Sequence, residues 1–203
     1  MKTIGLVGGV ASGKSLVAKM LVELGAGLLD ADRTGHAVLA EDANVHRALR
    51  GRWGDEIFAP DGSIDRAAIA QRVFGTGEAA ELDRRFLEGL LHPRIRRRLN
   101  ELREQYAVEV RPAVVLDAPV LLEAGWGPMC DRLVMVDAPR ELRLQRARDR
   151  GWSEEEFHRR EASQWPIDDK RRAADLTIAN DGTEEELRQA VRELWQNEIA
   201  ATG

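Results

Sequence analysis

The chain has 203 residues, of which 43% are hydrophobic and 32% are charged, with a formal net charge of -5. This balance is that of an ordinary globular protein that can bury a substantial core. The acidic charge argues against a nucleic-acid partner, and no segment has the length and apolarity of a signal peptide or a bilayer span, so we expect a cytoplasmic protein without a membrane partner.

A β-α-β unit opens the chain. Ile4–Val7 is a short apolar run before a glycine-rich loop and predicts a buried parallel strand. Ser15–Leu24 has apolar residues at helical spacing and is followed by a glycine, which predicts a helix and its end. Residues 28–29 predict a second strand, with the carboxylates Asp30 and Asp32 directly after it. This order of elements is typical of nucleotide-binding α/β folds.

Residues 33–110 have a different pattern, with helical periodicity and no convincing buried strand. We predict one helix over Ala67–Phe74, a second over Glu78–Leu91 and a third from Pro93 to about Tyr106, because proline usually begins or breaks a helix. The segment therefore predicts a helical subdomain inserted into the α/β core.

Strand patterns return after position 110 and alternate with helical ones. The predicted strands are Ala113–Leu116, Arg132–Val136 and Leu176–Ala179, and the predicted helices are Arg140–Arg150, Ser153–Ser163 and Glu184–Ile199. Ser153 with Glu156, and Thr183 with Glu186, predict capping boxes at the starts of the last two helices. This alternation predicts a doubly wound parallel sheet of about five strands. Polar residues follow the strands at Asp117, Asp137 and Asn180, at the strand ends where such folds bind ligands. The lone Cys130 is interpreted as a packing residue.

Residues 8–15 match the phosphate-binding P-loop pattern, with a strand before them and a helix after them. The glycines let the backbone wrap around phosphates, and the helix adds its positive dipole end. Lys14 is predicted to reach the β- and γ-phosphates of ATP, and Ser15 to bind Mg²⁺. The predicted loop contacts are Gly8, Gly9, Val10, Ala11, Ser12, Gly13, Lys14 and Ser15.

Three functions remain open at this point: a small-molecule kinase, a regulatory NTPase or GTPase, and a nucleotide-binding scaffold. A kinase needs a carboxylate beside the acceptor hydroxyl, and Asp32 is placed for that role, although it could also cap a helix. The GTPase interpretation is weak, because Asp117 is not followed by the glycine of a D-x-x-G element and Asn180 only faintly resembles a base-reading motif.

Two arginines could stabilise a transferring phosphoryl group. Arg146 and Arg150 lie four residues apart on one face of a predicted helix, before Gly151 and a second charged helix, which suits a mobile lid. The alternative is a solvated helix face, since Arg143 and Arg148 show how common arginine is in this segment.

The motifs resemble those of the bacterial dephospho-coenzyme A kinase family over nearly the whole chain. The resemblance lies in the P-loop, Asp-Ala-Asp at 30–32, Leu-His-Pro-Arg-Ile at 91–95, Asp-Ala-Pro-Val-Leu-Leu-Glu at 117–123, Gln-Trp-Pro at 164–166, Lys-Arg at 170–171 and the segment 174–180. The glycine loop is shared by many kinases, whereas the other elements in this order are specific.

The resemblance implies transfer of the ATP γ-phosphate to the 3′-hydroxyl of the ribose of dephospho-CoA, with Asp32 as general base. It implies a core of residues 1–32, 111–139 and 167–203, a CoA-binding helical subdomain 33–110, and a lid 140–166, in a monomer or weak homo-oligomer. The residues implied near the substrate are Asp32, His92, Pro93, Leu121 and Glu123, and Asn180 is implied near the adenine.

The sequence departs from the family pattern at three places. Ala11 replaces a usual glycine, and Leu16 replaces a usual threonine or serine, so a hydroxyl near the α-phosphate is lost while the backbone N–H remains. The arginine segment of the lid is one residue shorter than usual, which leaves Arg148 and Arg150 as alternatives for the second lid arginine. Helical spacing favours Arg150.

Overall fold

The computed structural model describes residues 1–75 and 77–199. In this part of the chain, five strands form one parallel sheet in the order β2-β3-β1-β4-β5. The strands are Lys2–Gly8 (β1), Gly27–Asp30 (β2), Ala113–Asp117 (β3), Arg132–Asp137 (β4) and Leu176–Ala179 (β5). The five predicted strands are confirmed, with ends that differ by at most two residues, and the order places β1 and its loop at the centre.

Helices connect and cover these strands. In chain order they are Lys14–Glu23 (α1), Ala31–Glu41 (α2), Ala43–Trp53 (α3), Arg66–Val73 (α4), Glu78–Val108 (α5), Arg140–Asp149 (α6), Glu154–Ala162 (α7), Ile167–Ala173 (α8) and Glu184–Glu198 (α9). The sequence prediction did not delimit α2, α3 and α8. Residues 33–110 were expected to be helical, but separate helices were given only from Ala67 onward, and none was given between Ser163 and Leu176. No helix of the described ranges combines the length and apolarity needed to cross a bilayer.

Helices cover the sheet on both faces. On one face, Ile4 and Leu6 of β1 join a buried cluster with residues of α1 and α9. Thr3 points to the opposite face because side chains alternate along a strand, and there its hydroxyl accepts a hydrogen bond from Arg103 Nε of α5 at 3.1 Å. Tyr106 of the same helix lies over Gly27, where a Cβ would be only 2.5 Å from the ring. The arrangement is the doubly wound one predicted.

The chain forms two compact units, one of Met1–Asp30 with the chain from Leu102 onward and one of Ala31–Glu101. These boundaries differ from the predicted subdomain 33–110. The boundary predicted at residue 33 differs because α2 begins at Ala31, directly after β2. The boundary predicted at residue 110 differs because the division falls within α5.

Helix α5 corrects a prediction. Two helices separated at Pro93 were expected, but one helix of 31 residues contains this proline. A proline inside a helix removes one backbone donor and crowds the preceding turn. The carbonyl oxygen that loses its donor is that of Gly89, four residues before Pro93. Arg94 Nη1 donates to the neighbouring carbonyl oxygen, that of Leu90, at 2.7 Å, which adds a bond in this turn without replacing the missing one.

The second unit has its own apolar core. Trp53 packs edge-on against Phe86 at a ring-centroid distance of 5.5 Å. The buried members of this core are Val45, Leu49, Trp53, Ile57, Ile69 and Val73. An isolated bridge between Phe58 and Ile64 is its only strand-like pairing among the described residues. The predicted helical character of this segment is thus confirmed.

Helix caps follow the predictions at one of two places. Thr183 and Glu186 form the predicted reciprocal capping box at the start of α9. At the start of α7, Ser153 accepts from the N–H of Glu156, but the Glu156 carboxylate accepts two bonds from Arg160. The second predicted box is therefore only half formed, because an arginine one turn along competes for the carboxylate.

Cys130 is a packing residue, as interpreted from the sequence. Its sulfur lies against Gly5 of β1, where a Cβ would be 2.5 Å away. Burial, reinforced by the charge of Asp131, raises the pKa of the Cys130 thiol to about 12. The thiol therefore stays protonated at neutral pH.

Candidate active site

The P-loop leaves the central strand β1 and enters α1. Gly13 has φ of 101° and Ala11 has φ of 58°, both in the left-handed region. Left-handed residues within a tight turn bring successive N–H groups to one side and make a concave anion site. Glycine adopts this conformation at little cost, whereas Ala11 is strained there. The departure from the family pattern at Ala11 therefore has a conformational cost.

Lysines bind the carbonyl oxygen at the start of the loop. Lys14 Nζ donates to the carbonyl oxygen of Gly8 at 3.3 Å, and Lys170 Nζ of α8 donates to the same oxygen at 3.5 Å. Burial, followed by the nearby charge of Lys170, lowers the pKa of Lys14 to about 8, against the opposing attraction of Asp117 and Glu123. A phosphate bound here would relieve the repulsion between the two cations.

Two further loop carbonyls bind buried side chains. Arg143 Nη1 of α6 donates to the carbonyl oxygen of Val10 at 3.2 Å. Asn180 Nδ2, after β5, donates to that of Ser12 at 2.7 Å. In a trans peptide the C=O and the next N–H point in opposite directions. Donors that hold the carbonyls on the outside of the loop therefore turn the following N–H groups towards its interior, where phosphates bind.

Gly13 and Asn180 are in direct contact. A Cβ at Gly13 would lie 2.1 Å from Asn180 Nδ2. Arg146 Nη2 donates to the backbone and side-chain oxygens of Asn180 at 3.0 and 3.3 Å, and its Nη1 donates to the Ser12 carbonyl at 3.4 Å. Asn180, predicted near the adenine, thus contacts the loop backbone and a predicted lid arginine.

Two predicted ATP contacts, Leu16 and Ser12, have different surroundings. The N–H of Leu16 donates to the carbonyl oxygen of Gly13 at 3.0 Å, in the first turn of α1, and is not directed at a ligand. The Ser12 hydroxyl is buried and has no hydrogen-bond partner among the described residues, close to Gly8. The Leu16 N–H is thus engaged in the helix, and the ATP contacts of both residues remain predictions.

The two alternatives for the second lid arginine have different surroundings. Arg148 Nη2 donates to Glu154 of α7 at 2.9 Å. Arg150 is exposed at the end of α6, and its charge contributes, after burial, to lowering the pKa of Arg146. Arg146 and Arg150 therefore form the neighbouring pair that their spacing predicted.

Glu123 is largely committed to protein contacts. Its Oε1 accepts from Lys170 Nζ at 3.1 Å and from the backbone N–H of Trp165 at 2.7 Å. Its Oε2 is buried without a hydrogen bond from the described residues. The side chain of Lys170 is 3% exposed and also donates to Gln164 at 2.8 Å. Leu121, predicted with Glu123 to bind substrate, is 1% exposed and is a core residue.

Oxygen ligands suitable for Mg²⁺ lie beside the loop. The Ser15 hydroxyl donates to the carboxylate of Asp117, whose pKa is raised by burial and by Asp30. Asp30 and Asp117 end neighbouring strands and are paired in register. A hydroxyl and carboxylates are the hard donors that Mg²⁺ prefers. Among the described residues there is no group of three or more acidic, histidine or cysteine side chains placed to hold a metal ion.

Three of the residues predicted near the substrate, Asp32, His92 and Pro93, belong to the second unit. Asp32 lies within the first turn of α2, rather than at its N-cap. His92 is half-buried in α5, and desolvation, opposed by Glu88, lowers its pKa, so it is neutral at pH 7. Pro93 is exposed in the same helix.

The family model described as Dephospho-CoA kinase matches residues 2–186. A dephospho-CoA kinase from Geobacter metallireducens is 41% identical over 204 residues, covering 98% of both chains. The chain belongs to the dephospho-CoA kinase family. The crystal structure of TT1252 from Thermus thermophilus is similar, with a TM-score of 0.80 and 31% identity over 98% of each chain. Dephospho-CoA kinase from Campylobacter jejuni shares the fold, with a TM-score of 0.73 and 23% identity over 99% of this chain and 98% of that one.

Membership of the dephospho-CoA kinase family confirms several predictions made from the sequence. The α/β P-loop fold, the kinase class, the use of ATP and the role in coenzyme A biosynthesis agree with it. The regulatory GTPase and the catalytically inactive scaffold are correspondingly set aside.

Sequence reasoning missed two loop-binding residues of this dephospho-CoA kinase family member. Arg143 was treated as an example of surface arginine, yet it is 4% exposed and bonded to Val10. Lys170 was noted only as part of a family motif. The available signal was its rarity, since lysine occurs at four positions of the chain.

Proposed function

We propose that the protein transfers the γ-phosphate of ATP to the 3′-hydroxyl of the ribose of dephospho-CoA, giving coenzyme A and ADP. The observation that supports this most directly is a P-loop whose carbonyl oxygens at Gly8, Val10 and Ser12 each accept a hydrogen bond from a side chain beyond the loop, in a chain of this kinase family. The loop N–H groups then bind the phosphates of ATP, and Lys14 contacts the β- and γ-phosphates.

Ser15 and Asp117 would hold Mg²⁺ with the nucleotide. The hydrogen bond between them and the neighbouring Asp30 support this assignment. When bound, Mg²⁺ neutralises charge on the transferring phosphoryl group. Without it, Asp117 keeps the Ser15 hydroxyl oriented by accepting a hydrogen bond from it.

Asp32 accepts the proton of the acceptor hydroxyl in this proposal. It follows β2 by two residues and lies in the first turn of α2, where the positive end of the helix dipole favours the ionised carboxylate. An ionised carboxylate within reach of a hydroxyl raises its nucleophilicity by general-base catalysis. His92 and Pro93 are proposed to lie near the substrate, with neutral His92 able to donate one hydrogen bond and accept another.

Residues 140–166 act as a lid in this proposal, and Arg146 and Arg150 stabilise the transferring phosphoryl group. In the described structure Arg146 binds Asn180 and the loop. To contact a bound nucleotide, Arg146 would therefore either replace its hydrogen bonds to these protein oxygens with bonds to phosphate oxygens, or keep the first and add the second.

A coupled ADP-release assay tests the proposal. The purified protein is given Mg²⁺ and ATP with dephospho-CoA, adenosine, AMP or shikimate as acceptor, and the position of the new phosphate is determined by NMR. We expect release with dephospho-CoA and a product phosphorylated at the ribose 3′ position. Release with AMP but not dephospho-CoA would indicate a nucleotide kinase, and release without acceptor would indicate an NTPase.

A further inference from the structure

A buried cation connects the P-loop to the helices that follow β4. Arg143 of α6 is 4% exposed. Its Nη1 donates to the carbonyl oxygen of Val10 at 3.2 Å and to Glu161 Oε1 of α7 at 2.7 Å, and its Nε donates to the carbonyl oxygen of Ala138 at 3.2 Å. One guanidinium thus joins the loop, the start of α6 and the end of α7.

The contact with the loop is close. A Cβ at Gly9 would lie 2.6 Å from Arg143 Nη1, so the guanidinium packs directly against the Gly9–Val10 backbone. Because the Val10 carbonyl is held on this side, the N–H of Ala11 is turned to the other side of the peptide, towards the phosphate site. Ala11 is also the strained residue with φ of 58°, so this peptide is the one that most needs an external constraint.

Arg143 is also bound to the lid segment by more than one contact. Its guanidinium carbon lies 5.7 Å from the centre of the Phe157 ring of α7, and Phe157 is fully buried with Val10 and Ala147 in one apolar cluster. A buried arginine that lost Glu161 would be left with an uncompensated charge. The position of α7 and the orientation of the Val10 carbonyl are therefore linked through one side chain.

We propose that Arg143 is a positioning residue that couples order in helix α7 to the phosphate-binding conformation of the P-loop. It contacts neither substrate nor reacting atoms and acts through the Val10–Ala11 peptide. This inference rests on the proposed nucleotide site. Since coupling is reciprocal, nucleotide should stabilise α7, and weakening the contact between Glu161 and Arg143 should weaken nucleotide binding.

The test measures binding of Mg²⁺-ADP by calorimetry, with no acceptor, together with KM for ATP, KM for dephospho-CoA and kcat. Arg143→Gln should raise the Kd for Mg²⁺-ADP and KM for ATP about tenfold or more, as expected for loss of a charged hydrogen bond, while KM for dephospho-CoA changes less than about threefold. Arg143→Lys keeps the positive charge but replaces the planar guanidinium with a single ammonium group, so its Kd for Mg²⁺-ADP should lie between those of the wild type and Arg143→Gln.

Arg140 provides a matched control. It binds the same Glu161 at 3.3 Å and lies 5.5 Å from the same Phe157 ring, but it is exposed. Arg140→Gln should change the Kd for Mg²⁺-ADP by less than about twofold. Glu161→Gln should raise this Kd by about three- to tenfold without touching the loop, and this variant decides the question if Arg143→Gln does not fold.

Hydrogen exchange gives a second readout. Mg²⁺-ADP should slow exchange of α7 amides in the wild-type protein and in Arg140→Gln, and should do so much less in a folded Arg143→Gln. Equal Kd values in Arg143→Gln and the wild type, or unchanged protection of α7, would overturn the inference. Failure to phosphorylate dephospho-CoA would overturn the proposed function alone, because ADP binding is measured without an acceptor.

Discussion

Lys14 Nζ and Lys170 Nζ both donate to the carbonyl oxygen of Gly8, at 3.3 and 3.5 Å. Two cations on one oxygen repel each other, and among the residues that the structure describes only Lys170 has a close carboxylate partner, Glu123 at 3.1 Å. The free protein therefore holds Lys14 in an environment that disfavours its charge, and an incoming phosphate supplies the missing anion.

The first prediction concerns the pH dependence of nucleotide binding. The pKa of Lys14 in the free protein is about 8, and bound phosphate must raise it, because an anion favours the charged ammonium. Affinity for Mg²⁺-ADP should thus be nearly constant below about pH 7, fall to roughly half by pH 8 and decrease more steeply above it. Calorimetry in two buffers of different ionisation enthalpy should show uptake of close to one proton at pH 9 and almost none at pH 7.

Lys19 is the control for this prediction, because it is an exposed lysine of the same helix. Lys19→Gln should keep the proton uptake, whereas Lys14→Arg should remove it, since arginine does not titrate in this range. Uptake that persists in Lys14→Arg would assign the titration to another group.

The second prediction concerns Asp32. Asp32→Asn should reduce kcat by about 10²-fold or more, since the amide cannot accept the hydroxyl proton, while the Kd for Mg²⁺-ADP stays within about twofold. Single-turnover kinetics would measure the chemical step. Asp55→Asn, at an exposed carboxylate of the same unit, should leave kcat unchanged. Near-normal turnover in Asp32→Asn would remove Asp32 as the base.

The third prediction concerns Asp117 and Mg²⁺. Asp117→Asn should raise the Mg²⁺ concentration for half-maximal activity about tenfold, because the amide lacks the charge that supports a cation at Ser15. Asp137→Asn is the matched change at the end of β4, where the carboxylate accepts from Arg171 at 3.0 Å. It should leave the Mg²⁺ requirement unaltered, and an equal shift in both variants would contradict the assignment.

The fourth prediction concerns backbone strain. Ala11→Gly should increase the free energy of unfolding by up to about 1 kcal/mol, because relief of a left-handed alanine exceeds the added freedom of the unfolded chain. Val110, with φ of 57°, is a strained residue outside the loop. Val110→Gly should also stabilise the protein in urea titrations but leave Mg²⁺-ADP binding unchanged. Destabilisation by Ala11→Gly would show that its methyl contacts outweigh the strain.

The fifth prediction concerns the buried ion pair. Glu123→Gln should lower the free energy of unfolding by about 3 kcal/mol, because it leaves the buried ammonium of Lys170 unpaired. Asp169→Asn removes the exposed partner of Arg172 and should cost less than about 1 kcal/mol. Equal losses in urea titrations would mean that Lys170 finds another partner.

The positions of most strands and helices could be predicted because they depend on residues that are close together in the sequence. The apolar run before Gly8 and the glycine after α1 fix where a strand ends and a helix stops. Pro93 misled the prediction, since α5 continues through it although a proline cannot donate to the carbonyl oxygen one turn earlier. Thr183 and Ser153 had the same capping pattern, yet only the first formed the full box.

The side chains that support the P-loop and its neighbours could not be predicted from the spacing of residues along the chain. Arg143 and Arg140 are both arginines of α6 that bind Glu161, and only the fold makes one buried and the other exposed. Asp117 was visible as a polar residue at a strand end, but its bond to Ser15 depends on the approach of α1 to β3. Long-range contacts of this kind depend on sheet order, which the periodicity of a segment does not encode.

The contact between Gly13 and Asn180 constrains how this loop can evolve. A side chain at Gly13 would collide with the Asn180 amide, and a smaller residue at 180 would lose the donor that holds the Ser12 carbonyl. Neither position can change first without loss, although they lie 167 residues apart in the chain. In a saturation library, single substitutions at either position should therefore reduce function. Other functional combinations should be found only among variants in which both residues are changed together.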